Sequence, residues 1–392
     1  MKRQRIDWID SIRGLAAFSV MICHYFHISI LALLPFLMGN PAYKPIHKEH
    51  DTLRDTLQFI EQHHLHVDSL ANIANYILGY WDLGKVGVAL FFFVSGFVIP
   101  FSLFRPEAPL QNFAISRFFR LYPIYWVSLA VMLLLGISQM TMSPALILAN
   151  FTMFQKFIGF PDINGVAWTL QIELMFYILC AILFSVNLLK QQVSNYVTVG
   201  ILWAIAILFA VVRMYIGIKA PIAMPLGLSL MFIGFVWRKW LLKEEEISNG
   251  RMMALLGAFA LVVPGICLLG YGENAATYVS TYLIALVLFI LLTTVFKLNQ
   301  IALLFLGKIS YSVYLFHAII GMMIIPFVVN LTPSVYLENN SLIFIPMLAA
   351  IVTTLALSSL TYYLVEEPGV KLGRQVAKKL LQPQPLKPAV QS

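Results

Sequence analysis

Apolar residues run along this chain in long blocks, with polar residues gathered between them. FSVMICHYFHISILALLPFLM (18–38) and VGVALFFFVSGFVI (86–99) are two such blocks. Blocks near 20 residues match what a helix needs to cross the hydrocarbon of a bilayer. The pattern predicts ten spans, over 12–36, 85–104, 121–138, 168–188, 195–216, 221–240, 252–271, 277–296, 309–329 and 342–365. The expected fold class is all-α, a polytopic membrane protein. Two connectors are long. Residues 37–84 turn from polar to amphipathic and predict an outer loop folded as a helical lid. Residues 139–167 are too short and interrupted to span, which predicts a re-entrant or interfacial segment whose backbone other groups must satisfy.

Composition agrees with this pattern. The 392 residues are 60% hydrophobic and 11% charged, against about 25% charge in soluble domains. The net charge of +8 would suggest nucleic acid in a soluble protein. In a membrane protein, lysine and arginine set orientation instead, so no nucleic-acid partner is expected. With the N-terminus inside, 19 of the 26 basic residues fall on that side and 7 on the other, which predicts cytoplasmic termini. Lys2, Arg3 and Arg5 precede the first span, and Asp7, Asp10 and Arg13 interrupt the approach to it. The first helix is therefore expected to stay as an uncleaved anchor. Cys23, Cys180 and Cys267 lie within apolar runs and suggest neither disulfides nor a metal site. Residues 1–375 form one expected membrane domain, and 376–392 a basic, Pro-rich cytoplasmic tail without order. No internal repeat is evident, which argues against a transporter built from duplicated halves.

Ionisable groups inside spans mark candidate function. Arg13 and His24 are eleven residues apart, about three turns and about 16 Å along a helix. They therefore share a face, with Arg13 near the inner boundary and His24 deep. A long ligand with an anionic end would fit them, its reactive end at the imidazole. His27 lies close to the same face and offers an alternative. Gly87, Ser95 and Gly96 permit close approach of helices or ligand. Arg117 and Arg120 in ISRFFRLYPIYW (115–126) can share a face and hold phosphates. Glu173 in WTLQIELMFY (168–177) needs a partner or a wet cavity, and is a candidate to orient His24 or bind an acceptor hydroxyl. Ser310, Tyr311 and Tyr314 place hydroxyls along LGKISYSVYLFH (306–317), with His317 following. Glu367-Pro368 reads as the cap of the last span. His47, His50, His63, His64 and His66 crowd the outer loop, without a ligand set for a fixed metal.

Taken in order, these segments resemble the acyltransferase 3 family of integral membrane acyltransferases, from DSIRGLAAF to EEPGVKLGR. The family's pattern of Arg, ten intervening residues and then His falls on Arg13 and His24, and its paired arginines on Arg117 and Arg120. Its Trp–Glu–Tyr segment falls on Trp168, Glu173 and Tyr177, and its Ser–Tyr–His segment on Ser310, Tyr311 and His317. Ala89 stands where members often carry an acid.

The resemblance implies transfer of an acyl group, foremost acetyl, from cytoplasmic acyl-CoA to a hydroxyl of an envelope glycan or glycolipid, in a bacterial inner membrane. Acyl-CoA would be a co-substrate, with no cofactor held permanently. His24, Arg13 and Glu173 are then the expected catalytic group, and Arg117, Arg120 and Arg13 the expected CoA site. Ser95, Ser310, Tyr311, Tyr177 and His317 would line the substrate cavity. His24 would serve as general base or as an acyl carrier. A transporter or flippase for a lipid-linked glycan is the competing reading, and a pH sensor with a His-rich lid a third.

Overall fold

Buried apolar faces and internally bonded backbone make helices the economical element in lipid, and the computed structural model is all helix and connector, with no strand among the described residues. Those residues are 6–40, 53–63, 81–104, 108–137 and 141–381. The helices are α1 (Asp7–Leu37), α2 (Leu53–Gln62), α3 (Leu83–Val98), α4 (Pro109–Leu135), α5 (Pro144–Phe151), α6 (Ala167–Ser185) and α7 (Gln192–Ile216). They continue with α8 (Ala223–Leu241), α9 (Asn249–Gly270), α10 (Ala275–Thr294), α11 (Ile301–Leu331), α12 (Pro333–Glu338), α13 (Phe344–Thr361) and α14 (Glu367–Leu381).

Nine helical segments among the described residues are long and apolar enough to cross a membrane. The one predicted span outside this set, 221–240, is the helix α8. It carries Arg238 and Lys239, and every residue from Pro225 to Lys239 is buried. A helix that is apolar nearly all round packs inside other protein, and α8 does so against α3 and α7.

Two predicted boundaries are corrected. α4 begins at Pro109 rather than 121, so Arg117 and Arg120 ride within the helix instead of preceding it. The last span does not stop at Glu367-Pro368. A π turn over Tyr362–Glu366 leads directly into α14, which is helical to Leu381. Residues 376–381, expected in a disordered tail, therefore belong to a helix. Pro368 has no amide hydrogen to close the regular bond four residues back, and the π turn immediately before it is where the helix departs from the regular ladder. Most of the predicted lid, the basic N-terminus, His47, His50, His64, His66 and 382–392 lie outside the described residues.

The 139–167 connector folds as α5 and a 3-10 turn over Gln155–Ile158. Its backbone is satisfied from α4. Tyr125, Trp126 and Tyr122 each donate at 2.9 Å, to the carbonyls of Asn150, Phe151 and Thr152. The Asn150 side chain also bonds Leu146, Pro161 and Ile163 of the connector's own backbone.

Helices α1 and α11 run parallel and in close contact, pairing Asp10 with Gly307 at one end and His24 with His317 further along. Gly307 permits the approach, because a Cβ there would overlap the Asp10 carbonyl oxygen. Gly307→Ala is expected to lower stability by about 1–3 kcal/mol through overpacking. Gly257→Ala, with nothing within 4 Å of its Cβ, should leave the melting temperature in detergent nearly unchanged. An equal loss in the two variants would contradict this packing.

Candidate active site

Helices α1, α3, α4, α6 and α11 enclose a cavity. Its polar lining is Arg13, Ser95, Arg120, Glu173, Ser310 and Tyr311. Val88, Phe91, Phe92, Leu121, Thr169, Leu170 and Tyr314 complete the wall. Arg13 Nη1 reaches Asp10 Oδ1 at 3.5 Å. Glu173 accepts from the Tyr177 hydroxyl. Glu173 in the lining and Glu366 behind it both lie in the field of Arg13 and Arg120. This is a mixed-charge chamber in which the guanidiniums are partly balanced by acids.

Arg117 and Arg120 do not share the chamber. Arg120 faces into it, whereas Arg117 is not among its lining residues. Arg117 sits 5.4 Å from each of the Phe113 and Tyr177 ring centroids and donates to Ser102 Oγ at 3.0 Å. Its Nε is buried without a hydrogen-bond partner. Three residues on a helix differ by about 60° around the axis, enough to turn one arginine inward and the other onto aromatic faces. Tyr177 thus supports Arg117 and Glu173 rather than lining the cavity.

His24 lies outside the chamber lining, beyond Tyr314. Its Nδ1 meets His317 Nε2 at 2.7 Å, with the two rings nearly parallel. The hydrogen bonds determine the tautomers. His317 Nδ1 faces the carbonyl oxygens of Tyr314 at 2.7 Å and Val313 at 3.2 Å. Carbonyls only accept, so Nδ1 of His317 carries its proton. In the neutral ring Nε2 is then the acceptor, and His24 Nδ1 must donate to it. Neutral His24 is left with a lone pair on Nε2. This is the arrangement that makes a histidine a base, held by a second group that selects its tautomer.

Two expectations are corrected. Glu173 is not the group that orients His24; it faces Arg13 and Arg120 in the chamber, and His317 takes the orienting position. His317 is accordingly a partner of His24 and not a cavity-lining residue. His27 turns away to Thr56 Oγ1 of α2 at 3.0 Å. His63 is exposed and bonds the Phe59 carbonyl of its own helix. Ala89 is buried in the core.

Glu366, the neighbour of the predicted Glu367-Pro368 cap, is 3% exposed and accepts from Ser312 Oγ at 2.8 Å. The π turn that carries it inward is a device common at functional sites. An acid inside the apolar run before Pro368 was the available signal. Thr169 was missed as a lining group because, by itself, it reads as one more residue of an apolar helix.

A family model described as an acyltransferase domain matches residues 6–363. The chain belongs to the acyltransferase 3 family. This acyltransferase 3 member is similar to nodulation protein 10 of Rhizobium leguminosarum bv. viciae, 25% identical over 323 residues, 75% of this chain and 84% of the relative. It is also similar to the exopolysaccharide production protein ExoZ of Rhizobium meliloti (strain 1021), 23% identical over 306 residues, 75% of this chain and 92% of that protein. No solved structure matches it. The family and the apolar helices together make the acyltransferase 3 member an integral membrane transferase.

Proposed function

We propose that this protein transfers an acyl group, foremost acetyl, from cytoplasmic acyl-CoA to a hydroxyl of an envelope glycan or glycolipid at a bacterial inner membrane. The His24–His317 pair carries the reading, because it leaves one imidazole nitrogen free to take a proton. Arg13 and Arg120 would hold CoA phosphate through charge-assisted hydrogen bonds, with Arg117 behind them. The rise from Arg13 to His24, about 16 Å, suits an extended pantetheine arm. The name of ExoZ concerns exopolysaccharide production, which supports a carbohydrate acceptor.

In the direct reaction, the acceptor hydroxyl gives its proton to His24 Nε2 while its oxygen attacks the thioester carbonyl. The C–O bond forms and the C–S bond breaks. The proton on Nε2 then passes to the departing thiolate, so CoA leaves as the thiol. In the relay alternative, Nε2 itself attacks the thioester carbonyl, the C–N bond forms, the C–S bond breaks with loss of CoA thiolate, and the Nδ1 proton moves to His317 Nε2. The acceptor oxygen then attacks the acyl–imidazole, the C–N bond breaks, His317 returns its proton to Nδ1, and the hydroxyl proton neutralises the thiolate. Both routes use the same nitrogen.

Purified protein given radiolabelled acetyl-CoA and envelope polysaccharide should place an acetyl ester on the glycan. Glycan movement across vesicles without ester formation would support the flippase instead. Rapid quench without acceptor separates the two routes, since only the relay accumulates labelled protein under single turnover.

A further inference from the structure

We infer that Phe91 and Tyr314 form the constriction that sets the size of the acyl group reaching His24. This rests on the donor reading above and adds the residues that select among donors. The chamber holding Arg13 and Arg120 ends at Val88, Phe91, Thr169 and Tyr314, and neither histidine lines it. Tyr314 lines the chamber and also lies beside His317, and it forms a separate buried apolar cluster with Val20 and Val166, against which Val88 and Phe91 pack. A thioester travelling from the arginines to His24 Nε2 must pass this point with its acyl group leading.

The constriction is built to hold its width. Phe91 meets Tyr314 edge to face, with centroids 5.8 Å apart. The Tyr314 hydroxyl shares a hydrogen bond with Thr169 Oγ1 at 2.7 Å and donates to the Val166 carbonyl at 3.3 Å. The opposite end of the same residue is also committed, because its carbonyl accepts from His317 Nδ1 at 2.7 Å. The Tyr314 ring centroid lies 5.7 Å from that of His317. One residue therefore closes the donor chamber and orients the catalytic pair, leaving Phe91 as the wall that can change size without disturbing His317. An apolar wall discriminates by methylenes, at about 10–200-fold each.

The test is the ratio of kcat/KM for butanoyl-CoA to that for acetyl-CoA, measured as CoA thiol release by purified protein in phospholipid nanodiscs with envelope polysaccharide as acceptor. A ratio is independent of the folded fraction, so a poorly folding variant remains informative. Phe91→Leu and Phe91→Ala should raise it in that order, the alanine variant by at least about tenfold. Tyr314→Phe, which keeps the ring and removes the latch to Thr169, should raise it less. An unchanged ratio in both Phe91 variants, with active wild-type protein, overturns this inference and leaves the donor reading intact. Wild-type protein that consumes neither thioester overturns both.

Discussion

Replacing His24 by alanine should remove acyl transfer almost completely, lowering kcat by about a thousandfold, within the range a general base contributes. The loss should fall on kcat and spare KM for acyl-CoA, because His24 does not line the chamber holding the arginines. His317 gives the sharper comparison. His317→Ala removes the acceptor that keeps the proton on His24 Nδ1, and should cost about a hundredfold or more through the wrong tautomer. His317→Gln offers a carbonyl oxygen in place of Nε2 and should recover part of that loss. The measurement is steady-state transfer by purified variants with melting curves beside it. Full activity in His24→Ala would remove this histidine from the chemistry. Equal activity in His317→Ala and His317→Gln would remove the tautomer argument.

The second large effect is expected at Arg120. It faces the chamber, whereas Arg117 is already engaged by two aromatic faces and Ser102. A hydrogen bond to a charged group is worth about 1.5–3 kcal/mol, so Arg120→Ala should raise KM for acyl-CoA by about 10–100-fold. S-acyl-pantetheine, which lacks the nucleotide phosphates, should be far less affected. Glu366→Gln should act in the opposite direction, because removing an acid from the field of Arg120 and Arg13 leaves both cations freer for phosphate. Comparing the two thioesters across the variants checks both signs. Equal losses on the two donors in Arg120→Ala would contradict a phosphate role.

Much of the architecture was legible in the chain because lipid imposes a simple length rule on helices. The alignment of Arg13 and His24 was legible for a related reason. Both sit on one helix, and helical arithmetic places them on one face without tertiary information. The partner of His24 was not. His317 lies 293 positions away, and its ring arrives only because α1 and α11 pack in parallel through Gly307. Glu173 looked like the natural orienter because it was a lone acid in a span. It instead shares the chamber with Arg13 and with Arg120, which the span prediction had placed just outside its helix. Glu366 was obscured by its proline neighbour, since a π turn leaves no trace in apolar periodicity. The divergence of Arg117 from Arg120 depended on which aromatic rings α6 would supply, a matter of packing rather than spacing.

The enclosure of α8 bears on how the chain is made. A segment whose residues Pro225 to Lys239 are all covered by protein, and which ends in Arg238 bonded to the Phe97 carbonyl and Glu244, has little reason to partition into lipid by itself. It enters the bilayer after α3 and α7 in chain order, so its hosts are already synthesised when it emerges. Its residence in the membrane is then a property of company rather than of composition. During biogenesis this segment should wait on its neighbours, and damage to α3 would be felt first as a failure to integrate α8.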